Sequence, residues 1–317
     1  MDCTWERAVA LNNEGIDCAA AEVGFRRVLD LTPRFREAHE CLAGILAGRG
    51  ASLDAVREAL GTDTSAQTDI FDVFAERVPL LGGDFAEVER LGREALARVP
   101  PTGTETEHFG PAVVLTMAYA EAGNDAMAGA VAADYLSRRV AWKAPKAAWV
   151  GYMVGAAVRG GRMSRAEADR TLDGAFRALV DAKDEPQAPA DAWAESYAAA
   201  VGKRDEAVAA LAKLAALRLP MPSQPPGRTL FLAGRGEEAR AALEQDVRTC
   251  ASPLQNQAWW MPTYLYLGEL DEQKGDKVAA CGHLGKILER WGHAKPKSVT
   301  ADEARGHAKR LGCDTSR

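Results

Sequence analysis

The sequence predicts an all-α protein: a right-handed α-solenoid of about eight helical hairpins that ends in a capping helix. Three observations support this. Alanine occupies 61 of the 317 positions, and it has the smallest free-energy cost of any residue in a helix. Glycines recur roughly every 37 residues, as in a repeat array. No segment alternates apolar and polar residues in the way that a half-buried strand requires.

The recurring glycines predict the turns of the hairpins. A glycine can take the left-handed conformation that ends a helix, and a small residue one turn into the next helix lets two helices approach closely. Seven of the eight glycines are followed five residues later by alanine, and the eighth by valine. The eight glycines are Gly15, Gly50, Gly83, Gly123, Gly161, Gly202, Gly234 and Gly275.

The last hairpin shows the repeat most completely. Tyr264 is followed by Leu267 and Gly268, and then come Gly275-Asp276 and Ala280. We expect Tyr264, Leu267 and Gly268 to pack inward, with Gly268 and Ala280 at the contact between the paired helices. A capping box, Thr300-x-x-Glu303, predicts that the closing helix runs from Thr300 to Leu311.

Proline-rich stretches predict the loops and the organisation of the chain. Prolines accumulate in 99–111, 184–190 and 219–227. We therefore expect N-terminal helical repeats over 1–184 and C-terminal repeats with the capping helix over 185–317. The two parts form one continuous array, and 184–190 is the expected hinge.

The order of the aromatic residue, the Leu-Gly pair, the Gly-Asp turn and the spaced alanine resembles the tetratricopeptide pattern. The C-terminal sequence, with Gly275-Asp276, Trp291-Gly292 and Leu311-Gly312-Cys313, resembles a specific group of these repeats. They follow the kinase domain in large serine/threonine kinases of myxobacteria and their relatives. Phe231-Leu-Ala-Gly-Arg235 is similar to the preceding repeat of those proteins, so the likeness covers about the last 90 residues. It implies a regulatory or partner-binding array linked to a bacterial serine/threonine kinase pathway.

No motif in the chain indicates catalysis. The Gly-rich phosphate loop, the His-Arg-Asp loop and the Asp-Phe-Gly motif of protein kinases are missing from the sequence. None of its five histidines belongs to a His-Glu-x-x-His pair or follows a Gly-x-Ser-x-Gly elbow. Cys281 and His283 are two residues apart and would face different sides of a helix. We therefore predict no enzymatic activity, no cofactor and no metal site.

Composition and cysteine spacing predict the environment of the protein. A net charge of −6 argues against nucleic acid as a partner. The longest apolar runs, 111–120 and 147–158, are shorter than the roughly 20 residues that span a bilayer. No Cys-x-x-Cys pair occurs among the six cysteines, and the first residues lack the pattern of an export signal. A cytoplasmic location with reduced thiols is the favoured interpretation, and disulfides are the less favoured one.

The architecture favours a non-catalytic scaffold that binds a protein or peptide in a concave groove lined by the first helices of the hairpins. Helical spacing turns Leu265 and two glutamates of the last repeat toward this groove, beside two tryptophans of which one is expected in the core. The predicted partner-binding residues are Trp259, Trp260, Leu265, Glu269, Glu272 and Gln273. The glutamates favour partners with basic or apolar residues. The alternative function is a small-ligand sensor module of a signalling protein.

Overall fold

The computed structural model describes residues 17–61, 73–100, 105–142, 149–182, 186–222, 226–248, 250 and 257–314. Within these residues the chain forms sixteen α-helices and one π-helical turn, and it contains no strand. An isolated backbone bridge joins Asp84 to Lys295. The predicted all-α class is confirmed for this part of the chain.

The helices follow one another with short connections. In chain order they are α1 (Cys18–Leu31), α2 (Arg36–Gly48), α3 (Leu53–Leu60), α4 (Val73–Leu81), α5 (Phe85–Arg98), α6 (Glu105–Glu121), α7 (Asp125–Trp142), α8 (Val150–Arg159), α9 (Arg165–Val180), α10 (Pro189–Trp193) with its π-helical continuation (Ala194–Ala198), α11 (Arg204–Ala216), α12 (Gly227–Leu232), α13 (Gly236–Arg248), α14 (Gln257–Lys274), α15 (Lys277–Trp291) and α16 (Val299–Leu311).

Six of the eight predicted turn glycines have the left-handed conformation. At Gly50, Gly83, Gly123, Gly161, Gly234 and Gly275, φ lies between +67° and +82°. After α14, for example, the N–H of Gly275 donates to Glu272 O at 3.0 Å and the next N–H donates to Asp271 O at 2.9 Å. These bonds satisfy carbonyls that the end of the helix would leave unpaired. Gly202 does not have positive φ, and Gly15 lies outside the described residues.

Most of the predicted small contact residues are buried where the two helices of a hairpin meet. Ala207, Ala239 and Ala280 have no exposed surface. The expectation is wrong at three positions, since Ala166 is exposed and Ala20 and Ala55 are half-buried. The turns after Gly161 and Gly50 contain extra residues, so the buried positions there are occupied by Ala168 and Val56 instead, at 1% and 0% exposure.

The repeats from α4 to α15 close into a ring, because the last hairpin returns to α4. The first helices of six successive hairpins contact one another in turn, and α14 contacts α4. Between α10 and α12 the link is a hydrogen bond of 3.2 Å from Thr229 Oγ1 to Ala198 O. At the end of α15, the indole N–H of Trp291 lies 3.1 and 3.2 Å from the carbonyl oxygens of Leu80 and Leu81. Side chains from both sides of residue 184 share the main apolar core of this ring.

Helix α16 lies across one end of the ring, which we call the mouth. The hydroxyls of Ser298 and Thr300 donate to the Glu121 carboxylate at the end of α6, at 3.0 and 2.9 Å. The far end of α16 contacts the end of α14 through a bond between His307 and Glu272. The expected closing helix is present, but its N-cap is Ser298, whose hydroxyl accepts the Ala301 N–H, and not the predicted Thr300.

Four cysteines form two disulfides, so the expectation of reduced thiols is wrong for them. Cys18 pairs with Cys250 and Cys281 pairs with Cys313, with Cα atoms 5.4 and 5.5 Å apart. Cys41 is a free thiol, and burial raises its pKa to about 11. Disulfides persist mainly in oxidising compartments, which does not favour the expected cytoplasmic location.

Candidate functional site

Ring closure buries two of the predicted partner-binding residues. Trp260 and Leu265 are 7% and 4% exposed and belong to the main core. The indole of Trp260 packs edge-on against Tyr264, with ring centroids 5.6 Å apart. The expectation that Leu265 faces a groove is wrong, because neighbouring helices cover this side of α14. Gln273 is exposed, whereas the side chain of Trp259 lies outside the described residues.

The expected packing face of α14 is present. Tyr264 and Leu267 are 7% and 0% exposed. A Cβ atom on Gly268 would lie 3.1 Å from Leu284 Cδ2 of α15 and 3.6 Å from Ala280 O. The predicted close contact at Gly268 and Ala280 is therefore confirmed, since only the missing side chain of glycine leaves room for Leu284.

The predicted glutamates of α14 contact α16. Glu272 bonds His307 Nδ1, and its other oxygen lies 3.7 Å from Arg310 Nε. Glu269 Oε1 lies 3.8 Å from His307 Nε2, and burial raises the pKa of Glu269. Glu303 completes what we call the glutamate–histidine cluster, which consists of Glu269, Glu272, Glu303 and His307. These contacts engage the two carboxylates within the chain, away from the partner for which we expected them.

A second set of polar residues gathers at the mouth, where inner helices end or begin. We call it the mouth group: Glu121 at the end of α6, Tyr152 and Arg159 on α8, and Arg228 on α12. Protein surrounds Glu121 and Arg159 on most sides, yet solvent still reaches both residues.

The mouth group carries two positive charges in a poorly hydrated place. Burial lowers the pKa of Arg159, and the nearby charge of Arg228 lowers it further, although Tyr152 opposes the shift. Burial also raises the pKa of Tyr152 to about 12, so its hydroxyl stays a hydrogen-bond donor at neutral pH. The pKa of Glu121 is raised by burial, while hydrogen bonds from Thr300 and Ser298 oppose that shift.

Asp125 and Glu206 are the carboxylates whose charge acts on Arg159, and neither forms an ion pair with it. Glu206 bonds Arg165, and Glu121 accepts from the residues that begin α16. Within the described residues, no carboxylate lies within ion-pair distance of the Arg159 guanidinium. Arg228 donates to the hydroxyl of Tyr266 at 3.3 Å, and its charge also favours the ionised form of Glu121. Two guanidinium groups and a phenol in this arrangement suit an anion such as a carboxylate or phosphate.

Sequence reasoning missed the mouth group because its members come from different hairpins. Arg159 precedes a predicted glycine turn, and Arg228 follows a proline-rich loop, so each has an ordinary local explanation. The closure of the ring brings them together. A basic residue at the end of an inner helix was the one available signal.

No helix in the described part of the chain is both long enough and apolar enough to cross a lipid bilayer. No known protein family matches the sequence, and no curated protein is significantly similar to it.

Proposed function

We propose that the chain is a non-catalytic scaffold, built from tetratricopeptide-like repeats, that binds a protein or peptide at the mouth of the ring. In this proposal it serves a pathway linked to a bacterial serine/threonine kinase, as the sequence resemblance implies. One observation carries the proposal: Arg159 is largely enclosed, has Arg228 nearby and has no carboxylate at ion-pair distance among the described residues.

The charges of the mouth group favour a partner with an anionic group. A guanidinium taken out of water without a counter-charge raises the free energy of the folded chain, and two nearby guanidiniums repel each other. An anion bound between them removes both costs. The partner therefore presents an acidic side chain or a terminal carboxylate here, in place of the basic residues that the sequence had favoured.

Substitution of the two arginines tests this proposal. We expect Arg159→Gln and Arg228→Gln each to weaken binding of a partner captured from the native host by about tenfold or more, since a buried charge-assisted contact is lost. Arg162→Gln is the matched control, because Arg162 is an exposed arginine in the turn directly after α8. The measurement is the dissociation constant of the captured partner at two salt concentrations. Equal affinity of all three variants and wild type would exclude the mouth as the binding surface.

The second candidate function is a sensor of a small anionic ligand. It is favoured by the two arginines and the tyrosine hydroxyl of the mouth group, which suit a small anion. A panel of phosphate, carboxylates and nucleotides should then raise the melting temperature of wild type but not of Arg159→Gln. A scaffold would respond to its peptide or protein partner alone.

A further inference from the structure

We propose that the glutamate–histidine cluster binds one divalent transition-metal ion of the zinc type through Glu269, Glu303 and His307. The site is separate from the mouth group and does not depend on the proposed function. The sequence carries no metal-binding motif for it, because the ligands come from two helices that only the fold brings together.

The three side chains are close enough to share one ion. Glu303 and His307 are one turn apart on α16, and Glu269 projects from α14. One ligating atom from each of them lies within 4.8 Å of the other two. Donors around a tetrahedral zinc ion, with bonds of about 2.0–2.2 Å, are about 3.4 Å apart. Glu303 is exposed, so its side chain has room to rotate toward the other two ligands.

The imidazole of His307 is held in an orientation that suits metal binding. Its Nδ1 atom contacts both the Glu272 carboxylate and, at 2.7 Å, Arg310 Nη2. Only the tautomer with a proton on Nδ1 donates to Glu272, and this tautomer leaves the Nε2 lone pair for a metal ion. Its Nε2 atom faces Glu269 Oε1 at 3.8 Å, which is too far for a hydrogen bond. A carboxylate that orients the far nitrogen of a histidine is the usual support of a metal-binding imidazole.

Glu269 gives an independent reason to expect a cation. Its side chain is only 21% exposed, yet among the described residues its nearest ion-pairing group is the His307 imidazole, at 3.8 Å. Glu272 and Glu303 place two more carboxylates close to Glu269, with Arg310 nearby. Three carboxylates with one arginine leave excess negative charge, which a divalent ion would neutralise.

The donor set selects the class of metal. One imidazole with two carboxylates suits zinc and cobalt, whereas calcium and magnesium take oxygen ligands. The scaffold around the site is constrained as well, since the Cys281–Cys313 disulfide ties the end of α16 to α15. The remaining coordination position is available to water.

Metal titration of the untagged, disulfide-intact protein tests the site. After dialysis against a chelator, the protein is titrated with Co²⁺ by visible absorption and with Zn²⁺ by calorimetry. We expect one tightly bound equivalent, with affinity falling about tenfold or more in Glu303→Gln and in His307→Gln. The matched control is Asp302→Asn, since Asp302 is an exposed carboxylate that pairs with Arg305 next to Glu303. This control should bind metal as wild type does.

Two results would overturn the proposal. One is the lack of a saturable single equivalent in wild type, in which case His307 only forms ion pairs with its glutamates. The other is equal affinity of Glu303→Gln and Asp302→Asn. Circular dichroism checks the fold of each variant. If His307→Gln is unfolded, Glu303→Gln decides the question, because its exposed side chain contributes little to packing.

Discussion

The α14–α15 hairpin and the α10–α11 hairpin share one sequence signal but differ in structure. Each has a turn glycine followed five residues later by alanine, and both alanines, Ala280 and Ala207, are fully buried. Gly275 has φ of +80° and ends α14 regularly. Gly202 lacks positive φ, and its N–H donates to Glu206 Oε2 at 2.7 Å after α10 has widened into a π-helical turn. The buried alanine is therefore the common feature of the hairpins, whereas the turn varies.

The two regions also differ in what touches their inner helices. On α8, a Cβ on Gly151 would lie 2.1 Å from Ser196 O, and one on Gly155 would lie 2.4 Å from Ala200 O. These neighbours are backbone atoms in and directly after the π-helical turn. On α14, the neighbour of Gly268 is the side chain of Leu284, which can move. The irregular region is therefore packed backbone against backbone and tolerates less change.

The largest expected effect comes from adding one methyl group to each region. Gly151→Ala should lower the free energy of unfolding by about 3 kcal/mol or more, because a backbone carbonyl must shift. Gly268→Ala should cost about 1 kcal/mol, since Leu284 can adopt another rotamer. Urea denaturation at constant m-value measures both. Equal losses of unfolding free energy in Gly151→Ala and Gly268→Ala would contradict the distinction between a backbone neighbour and a side-chain neighbour.

Overpacking the shared alanine tests what the two hairpins have in common. Ala280→Leu and Ala207→Leu should each destabilise the protein by about 1–3 kcal/mol, because neither fully buried position has room for three more carbons. Ala166→Leu is the control, since Ala166 is exposed although it follows the same spacing. A variant at Ala280 that melts like wild type would show that the assigned contact is wrong.

Substitution by alanine should change stability by different amounts at the two turn glycines, Gly275 and Gly202. Gly275→Ala should cost about 1 kcal/mol, since no atom lies within 4 Å of the added Cβ and only the left-handed backbone is strained. Gly202→Ala should cost less, because its φ is not positive and the nearest atom, Arg159 Nη1 at 2.9 Å, ends a flexible side chain. Thermal melts of the two variants measure the difference. A larger loss of stability in Gly202→Ala than in Gly275→Ala would mean that the Arg159 side chain is rigidly held.

The fold could be predicted from sequence as far as local interactions determine it. Glycine turns such as Gly123 and buried alanines such as Ala239 depend on neighbouring residues, so their spacing reveals them. Ring closure depends on the sum of many small rotations between hairpins and on contacts such as the one from Trp291 to α4. No local sequence pattern predicts the sum of these rotations. The glycines of α8, four residues apart in the sequence, were the available signal of the close approach to the π-helical turn.

The candidate sites could be predicted only in part, for the same reason. Helical spacing correctly grouped Glu269 with Glu272, because these residues are one turn apart. It could not place His307 opposite them, since α16 reaches α14 by crossing the mouth. Leu265 was assigned to a groove because a single helix does not show how many neighbours will cover it. The disulfide between Cys18 and Cys250 is equally non-local, at a sequence separation of 232.

The smallest expected effect is an opposite pH dependence in the two regions. Beside the π-helical turn, hydrogen bonds from Tyr197 and then Lys213 lower the pKa of Asp173. The pKa of Asp173 is therefore lower in the folded chain than in the unfolded chain, where it is near 3.9. The ionised carboxylate stabilises the fold above that pH, and this stability is lost as the pH falls through the folded pKa. In α14, burial raises the pKa of Glu269, so ionisation there costs stability as the pH rises above about 4.3.

Stability curves between pH 3 and 7, recorded with chelator present, test this contrast. Asp173→Asn should be less stable than wild type near pH 6 by about 0.5 kcal/mol or less, because solvent screens the partly exposed pair. That deficit should vanish as the pH falls below 4. The stability of Glu269→Gln relative to wild type should rise as the pH rises from 4 to 7, because the amide does not ionise and so carries no cost of burying a charge. Asp169→Asn is the control, because Asp169 is exposed one turn earlier on α9. Parallel curves for Asp173→Asn and Glu269→Gln would contradict the assigned directions, and would place the difference between the two regions in packing alone.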